Sequence, residues 1–157
     1  MRMYKKVLVP LDGSKLAECV LPHVEALAKG CQAAAIHFVQ VYAPFQIPPG
    51  MEAVPLKQAE IDAISARGKK VAEDYIRGVT AQFDAGTAKA EGIILSGAVT
   101  ETLADYIAKN AVDLVVIATH GSSGVSRWVW GSVADRLLRS SCAPVMMVRA
   151  PGCYPGI

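Results

Sequence analysis

No run of five or more basic residues occurs in this chain, and its formal net charge is only +2. A surface that grips a phosphate backbone needs clustered cations, so nucleic acid is not an expected partner. Long apolar runs are missing too. The basic opening MRMYKKVLVPLDG holds an apolar core of about five residues, too short for a signal peptide or a membrane span. A cytoplasmic protein without membrane contact is expected. The four cysteines, Cys19, Cys31, Cys142 and Cys153, make no Cys-x-x-Cys pair and have no histidine at a zinc spacing. With no secretory signal they read as ordinary thiols, Cys153 in the tail PGCYPGI being the one best placed to react. Charged residues are sparse at 19%, whereas hydrophobic residues reach 52% of 157. That balance excludes a disordered chain and can fill the core of one domain.

Catalytic signatures are also absent. There is no G-x-x-x-x-G-K-[ST], which excludes a P-loop NTPase. There is no G-x-S-x-G elbow, since GSSG lacks the spacing. A phospho-acceptor domain would want clustered acids after its first strand, and PLDGS has one. No His/Cys/carboxylate cluster suggests a metal centre. No general base stands out for attack by water, so no catalytic residue is assigned and efficient hydrolysis is not expected.

What the chain does have is alternation. KKVLVP reads as a strand closed by Asp-Gly-Ser, a helix start. KLAECVLPHVEALAKG puts Leu16, Val20, Val24 and Leu27 on one helical face. Pro22 inside that helix should kink it or remove one hydrogen bond, and Gly30 fits as its stop. AAIHFVQV is a second, continuously apolar strand, suited to a sheet covered on both faces. YAPFQIPPGMEAVP, with its prolines, reads as a loop. A helix is expected from Leu56 to Phe83, with Ile64, Val71, Tyr75 and Val79 on its inner stripe and Gly68 and Gly78 as weak points. EGIILSG is the third strand. AVTETLADYIAKN is a helix with Leu103, Tyr106 and Ile107 inward. VDLVVIA is the fourth strand, SVADRLLRSS a helix and APVMMVR the fifth strand. Neither a repeat nor a domain linker interrupts the series. The pattern calls for an α/β domain with a five-stranded, mostly parallel sheet and helices on both faces.

In such a sheet the ligand crevice lies beyond the carboxyl ends of the strands, where strand order reverses. Two connectors look unusual there: Pro10 to Ser14 after the first strand, and Ala118 to Ser132 after the fourth. In the second, Gly121, Gly124 and Gly131 remove Cβ atoms and permit close approach to a ligand. Gly131-Ser132 opens a helix whose free N–H groups favour an anion. The intervening VSRWVW is long enough to arch round a polyphosphate, and Asp12 can accept hydrogen bonds from a ribose. Each feature has a plainer reading, as a helix cap or a turn; their joint placement at two carboxyl ends favours a nucleotide. His120 can touch a phosphate or act as a base, and it can equally order the loop. His23 and His37 read as structural. Trp128 and Trp130 can stack on a base or cover the loop or a subunit contact.

These residues resemble the universal stress protein family over nearly the whole chain. The likeness is carried by KKVLVPLDGS, IHFVQVYAPF and DLVVIATHGSSGVSRWVWGSVADRLLRSSCAPVMMV. The family's nucleotide motif is Gly, two residues, Gly, nine residues, then Gly with Ser or Thr. Here it reads Ala118, Thr119, His120, Gly121, nine residues, Gly131, Ser132. The resemblance implies a Rossmann-like domain of the adenine nucleotide alpha hydrolase kind over residues 1–150, a tail over 151–157, and sheet order 3-2-1-4-5. It implies an adenine nucleotide, ATP or else AMP or ADP, with any Mg²⁺ arriving on the nucleotide. Asp12 would meet the ribose or adenine side, with Pro10 shaping the turn and Leu11 beside it. The Val41 backbone would read the adenine edge and Ile117 would pack on the base or ribose. Gly121, Gly131, Ser132 and Val133 would wrap the phosphates, with Ala118, His120 and Gly124 in the same loop.

Two departures bear on affinity. Ala118 replaces the first glycine, which is mild if its φ is negative and disruptive if positive. Ser122 stands where many relatives carry a cation, and Arg127 can substitute from within the loop. The fifth strand is an expected sheet edge, and relatives pair it across a two-fold axis, which implies a homodimer through Pro144 to Val148. The resemblance thus points to a regulatory stress-response protein with further protein partners; a nucleotide-free dimeric interaction module is the alternative.

Overall fold

The opening apolar run, Lys6–Pro10, forms β1, with Val7, Leu8 and Val9 fully buried. A computed structural model of the chain describes residues 3–46, 57–119 and 132–149. After β1 come a 3-10 turn (Ala17–Val20), α1 (Leu21–Gly30), β2 (Ala35–Tyr42), α2 (Gln58–Gln82) and β3 (Lys89–Ser96). Then follow α3 (Val99–Lys109), β4 (Leu114–Ala118), α4 (Ser132–Ser140) and β5 (Val145–Val148). All ladders are parallel, and the five strands lie in the order β3-β2-β1-β4-β5. This is the expected single α/β domain.

Alternation of side chains along the strands divides the core in two. Val7, Val9, Ile36 and Phe38 face Val20, Val24 and, on α2, Ile76. Leu8, Val39, Val115 and Ile117 face Leu103 and Ile107 of α3 and Ala134 and Leu137 of α4. Burial on both faces is why β1 and β4 read as unbroken apolar runs rather than alternating ones.

The first helical stretch differs from expectation at its start and stops, as expected, at Gly30. Pro22 does not kink it. A 3-10 turn precedes the α-helix, which begins only at Leu21, so Pro22 occupies the first turn, where an N–H has no intrahelical partner to lose. Gly30 ends α1 without supplying the left-handed residue; Gln32 does so, with φ 52°.

α2 also departs from its expected stripe. Val79 and Tyr75 pack on the core as predicted, but Ile64 is 44% exposed and Val71 64%. The buried positions are Ala72 and Ile76. The helix has 25 residues, about 37 Å, while the eight residues of β3 span about 26 Å. The buried residues of α2 lie in its carboxyl-terminal half, and its amino-terminal half meets the sheet chiefly at Tyr42, the last residue of β2. That half is tethered: the Tyr42 hydroxyl donates to the Ser65 carbonyl (2.7 Å) and the Phe45 N–H to Ser65 Oγ (3.1 Å). A Cβ at Gly68 would sit 3.2 Å from the Tyr42 ring, so this glycine makes room for the tether.

Candidate functional site

Strand order reverses between β1 and β4. At the amino ends the two strands are clamped together. The Asp113 carboxylate accepts the N–H groups of Lys5 (2.7 Å) and Lys6 (3.0 Å), and the Asp113 N–H donates to the Lys6 carbonyl at 3.1 Å. Toward the carboxyl ends the shared ladder is shorter than either strand. The β1–β4 ladder pairs Val7 with Leu114 and Leu8 with Val115, then stops. Yet β1 continues against β2 to Pro10↔Val39, and β4 continues against β5 to Ala118↔Val148. Beyond the last shared rung is the topological switch point, where open parallel sheets hold ligands in a cleft.

Pro10, Leu11 and Asp12 form one side of this cleft, and Ile117 and Ala118 the other. The Leu11 N–H donates to the Val39 carbonyl (2.9 Å), so Val39 turns its peptide edge toward β1. Two residues on, Val41 turns its own N–H and C=O to the same side, past the end of β1. A donor–acceptor pair on a strand edge is what the rim of a purine can read.

Asp12 is exposed at the rim. Its Oδ1 accepts the Ser14 N–H at 3.0 Å and the Ser14 hydroxyl at 2.6 Å. Ser14 Oγ in turn accepts the Ala17 N–H at 3.1 Å, which starts the 3-10 turn. Gly13, at φ +84°, is the residue that lets the chain double back. Asp-Gly-Ser is therefore a turn, and a turn that presents a carboxylate at the mouth of the cleft.

Leu11, Ile117 and Ala118 are 5%, 6% and 8% exposed, with their side chains in the core clusters. What Leu11 and Ala118 can offer a ligand is chiefly backbone. Ala118 is a β4 residue with no positive φ, so the methyl that replaces the family's glycine is unstrained. Ser132 is exposed at the first position of α4, and Val133 packs half-buried against the α3/α4 core. His120, Gly121, Gly124 and Gly131 lie outside the described residues, as do Ser122, Arg127, Trp128, Trp130 and Cys153.

Behind the Asp12 turn lie two buried polar groups, Tyr75 on the expected inner stripe of α2 and Gln40, which sequence reasoning missed. Gln40 Oε1 is buried without a hydrogen-bond partner among the described residues, and the Tyr75 hydroxyl is buried beside the Glu18 carboxylate. Gln40 stands behind Gly13, its Nε2 3.6 Å from where a Cβ would lie. Burial, with the Glu18 and Asp12 carboxylates nearby, pushes the Tyr75 phenol far above its ordinary range, so it stays protonated. Gln40 was findable, as a lone amide within an apolar strand. His37 is structural, as expected: it is buried, with Nδ1 2.9 Å from the Tyr106 hydroxyl. Burial, with Lys6 close by, holds its pKa below the ordinary value. Cys19 and Cys31 are half-buried and Cys142 exposed, all as free thiols; burial pushes the Cys19 thiol up. No helix among the described residues is long and apolar enough to cross a membrane.

The model of the universal stress protein family matches residues 3–149. The chain belongs to the universal stress protein family. Universal stress protein MJ0531 of Methanocaldococcus jannaschii is 28% identical over 95% of this chain and 84% of its own. Among solved structures, protein MJ0577, from the same archaeon, superposes with a TM-score of 0.79 at 24% identity, covering 96% of this chain and 99% of its own. Two family structures of the same fold were solved with an adenine nucleotide. One, in complex with cAMP, has a TM-score of 0.59 and 23% identity, covering 94% and 98% of the two chains. The other, from Arabidopsis thaliana with AMP bound, has a TM-score of 0.56 and 14% identity, covering 97% and 96%.

Proposed function

We propose that this universal stress protein binds an adenine nucleotide in the β1–β4 cleft and works as a regulator, its occupancy altering its contacts with other proteins. The observation that carries the reading is the switch point itself: two strands clamped at one end and sharing no rung at the other, with the Asp12 carboxylate on the rim and the Val41 peptide edge on the β1 side. The family and its cAMP- and AMP-bearing structures support the same ligand class. Asp12 takes the ribose hydroxyls and Val41 the adenine edge, with Ile117 beside the base. Ser132, Val133 and the glycines of the preceding connector hold the phosphates through N–H groups at the start of α4. ATP is the proposed nucleotide, with AMP or ADP as alternatives and Mg²⁺ carried in on the phosphates. The protein is not an efficient catalyst. It is cytoplasmic and dimerises through the edge strand β5, because a short apolar edge left open invites pairing. A monomeric mass by light scattering at micromolar concentration would remove the dimer from this account.

The test has two stages. Denatured protein is searched by mass spectrometry for a released nucleotide, and stripped protein is then titrated with ATP-Mg²⁺ by calorimetry. Released adenine nucleotide or micromolar saturable binding is expected, together with its loss in a folded Gly121→Val variant. No release and no heat at millimolar ATP would leave a nucleotide-free interaction module.

A further inference from the structure

We infer that Pro10 is a positioning residue: its missing N–H ends the β1–β4 ladder and thereby keeps the cleft open for the nucleotide. The inference rests on the proposed function for its ligand and on backbone geometry for the rest. In a strand, peptide groups of successive residues point to opposite sides. Leu11 bonds Val39 on β2, and Lys6 accepts from Asp113 on the β4 side. Odd-numbered residues of β1 therefore face β2, and Lys6, Leu8 and Pro10 face β4. For the parallel ladder to advance beyond Leu8↔Val115, residue 10 must donate its N–H to the Val116 carbonyl. Proline has no N–H to give. The ladder stops at that rung.

Neither strand runs out at that point. Pro10 is still paired in register with Val39, and Val116, Ile117 and Ala118 are still paired with Met146, Met147 and Val148. The end of a strand thus cannot account for the end of the ladder. A proline inside a sheet normally sits where its nitrogen faces away from a partner. Pro10 sits in the middle strand of five, and its nitrogen faces β4. The Val116 carbonyl receives no N–H from β1. The clamp at Asp113 sets the strand separation at one end, and the missing rung releases it at the other.

Two substitutions test this, Pro10→Ala and Pro10→Val. Both restore the N–H, and valine also keeps much of the ring's bulk. Amide hydrogen exchange read by NMR should show the residue-10 N–H protected roughly 100-fold or more over an unfolded chain, as for a ladder bond. The carbonyl carbon resonance of Val116 should move with it. ATP affinity should fall about tenfold in both variants, the equivalent of one hydrogen bond's strength in favour of the closed cleft. Free exchange at residue 10 overturns the ladder argument whether or not nucleotide binds. A protected amide with unchanged ATP affinity overturns the link from ladder to cleft. Weak binding by Pro10→Ala with full binding by Pro10→Val assigns the effect to ring contact instead. Should the unsubstituted protein bind no adenine nucleotide, the proposed function falls, taking the cleft's ligand with it, and exchange at residue 10 still decides the ladder.

Discussion

Replacing Asp12 by alanine removes two things that the structure allows to be separated. One is the turn. Asp12 Oδ1 accepts both the N–H and the hydroxyl of Ser14, and these bonds are exposed. Exposed bonds of this kind contribute about 1 kcal/mol together, so Asp12→Ala should lower stability by about that much. Ser14→Ala should cost a similar amount, because it loses the 2.6 Å bond and the 3.1 Å cap on Ala17. The other is the charge at the cleft mouth. A hydrogen bond from a ribose hydroxyl to a carboxylate is worth about 1.5–3 kcal/mol, or roughly 10- to 100-fold in affinity. Only Asp12→Ala removes it. Parallel calorimetric titrations with ATP should therefore show Ser14→Ala within about threefold of the unsubstituted protein, and Asp12→Ala weaker by at least tenfold. Asp12→Asn, which keeps an acceptor without the charge, should fall between them. Equal affinities for the alanine variants at positions 12 and 14 would refute the assignment of Asp12 to the ligand and leave it as a turn residue.

At Gly92, a Cβ would lie 2.5 Å from Ile76 Cγ2 and 2.9 Å from Thr80 Oγ1, and Thr80 is pinned by its 2.7 Å bond to the Ile76 carbonyl. Gly92→Ala should cost about 1–3 kcal/mol, or about 5 °C in melting temperature; combining it with Ile76→Ala should recover part of that loss, and simple additivity would argue against the clash. His37, with its depressed folded pKa, contributes stability above its unfolded pKa of about 6.5 that is lost as pH falls toward the folded value. The groups facing it are Tyr106, Lys6 and Lys89, with Glu91 acting in the opposite sense. Urea midpoints should drop from pH 7.5 to 5.5, with a shallower drop in His37→Gln; an unchanged slope in that variant would exonerate His37.

Much of the architecture was legible because it is local. Val7 to Val9 and Leu114 to Ala118 are apolar without interruption, and that alone signals strands covered on both faces. Leu103 and Ile107 are four apart on α3 and both turn inward. Asp12-Gly13-Ser14 announces its own turn, since side-chain capping acts within a few residues. Position along α2 was harder. Ile64 and Val71 fit a helical period, but the buried face runs through Ala72 and Ile76, and apolar spacing does not say which row of a long helix meets the sheet. Pro22 was misplaced for a related reason: a 3-10 turn before the α-helix shifts the register of the first turn, and apolar spacing does not distinguish the two.

What the amino-acid sequence by itself determined is the set of elements, the two connectors at strand ends and the family motif, all properties of residues near one another in the chain. Tertiary structure decided which strands are neighbours. Only once β4 is known to lie beside β1 does Pro10 become a missing rung, because a proline matters to a sheet only on the side its nitrogen faces. Only in a strand paired with β5 does Ala118 acquire the extended φ that makes its methyl harmless. The first depends on contacts between segments about a hundred residues apart and the second on segments about thirty apart, and hydrophobic pattern, which is short in range, carries no record of either.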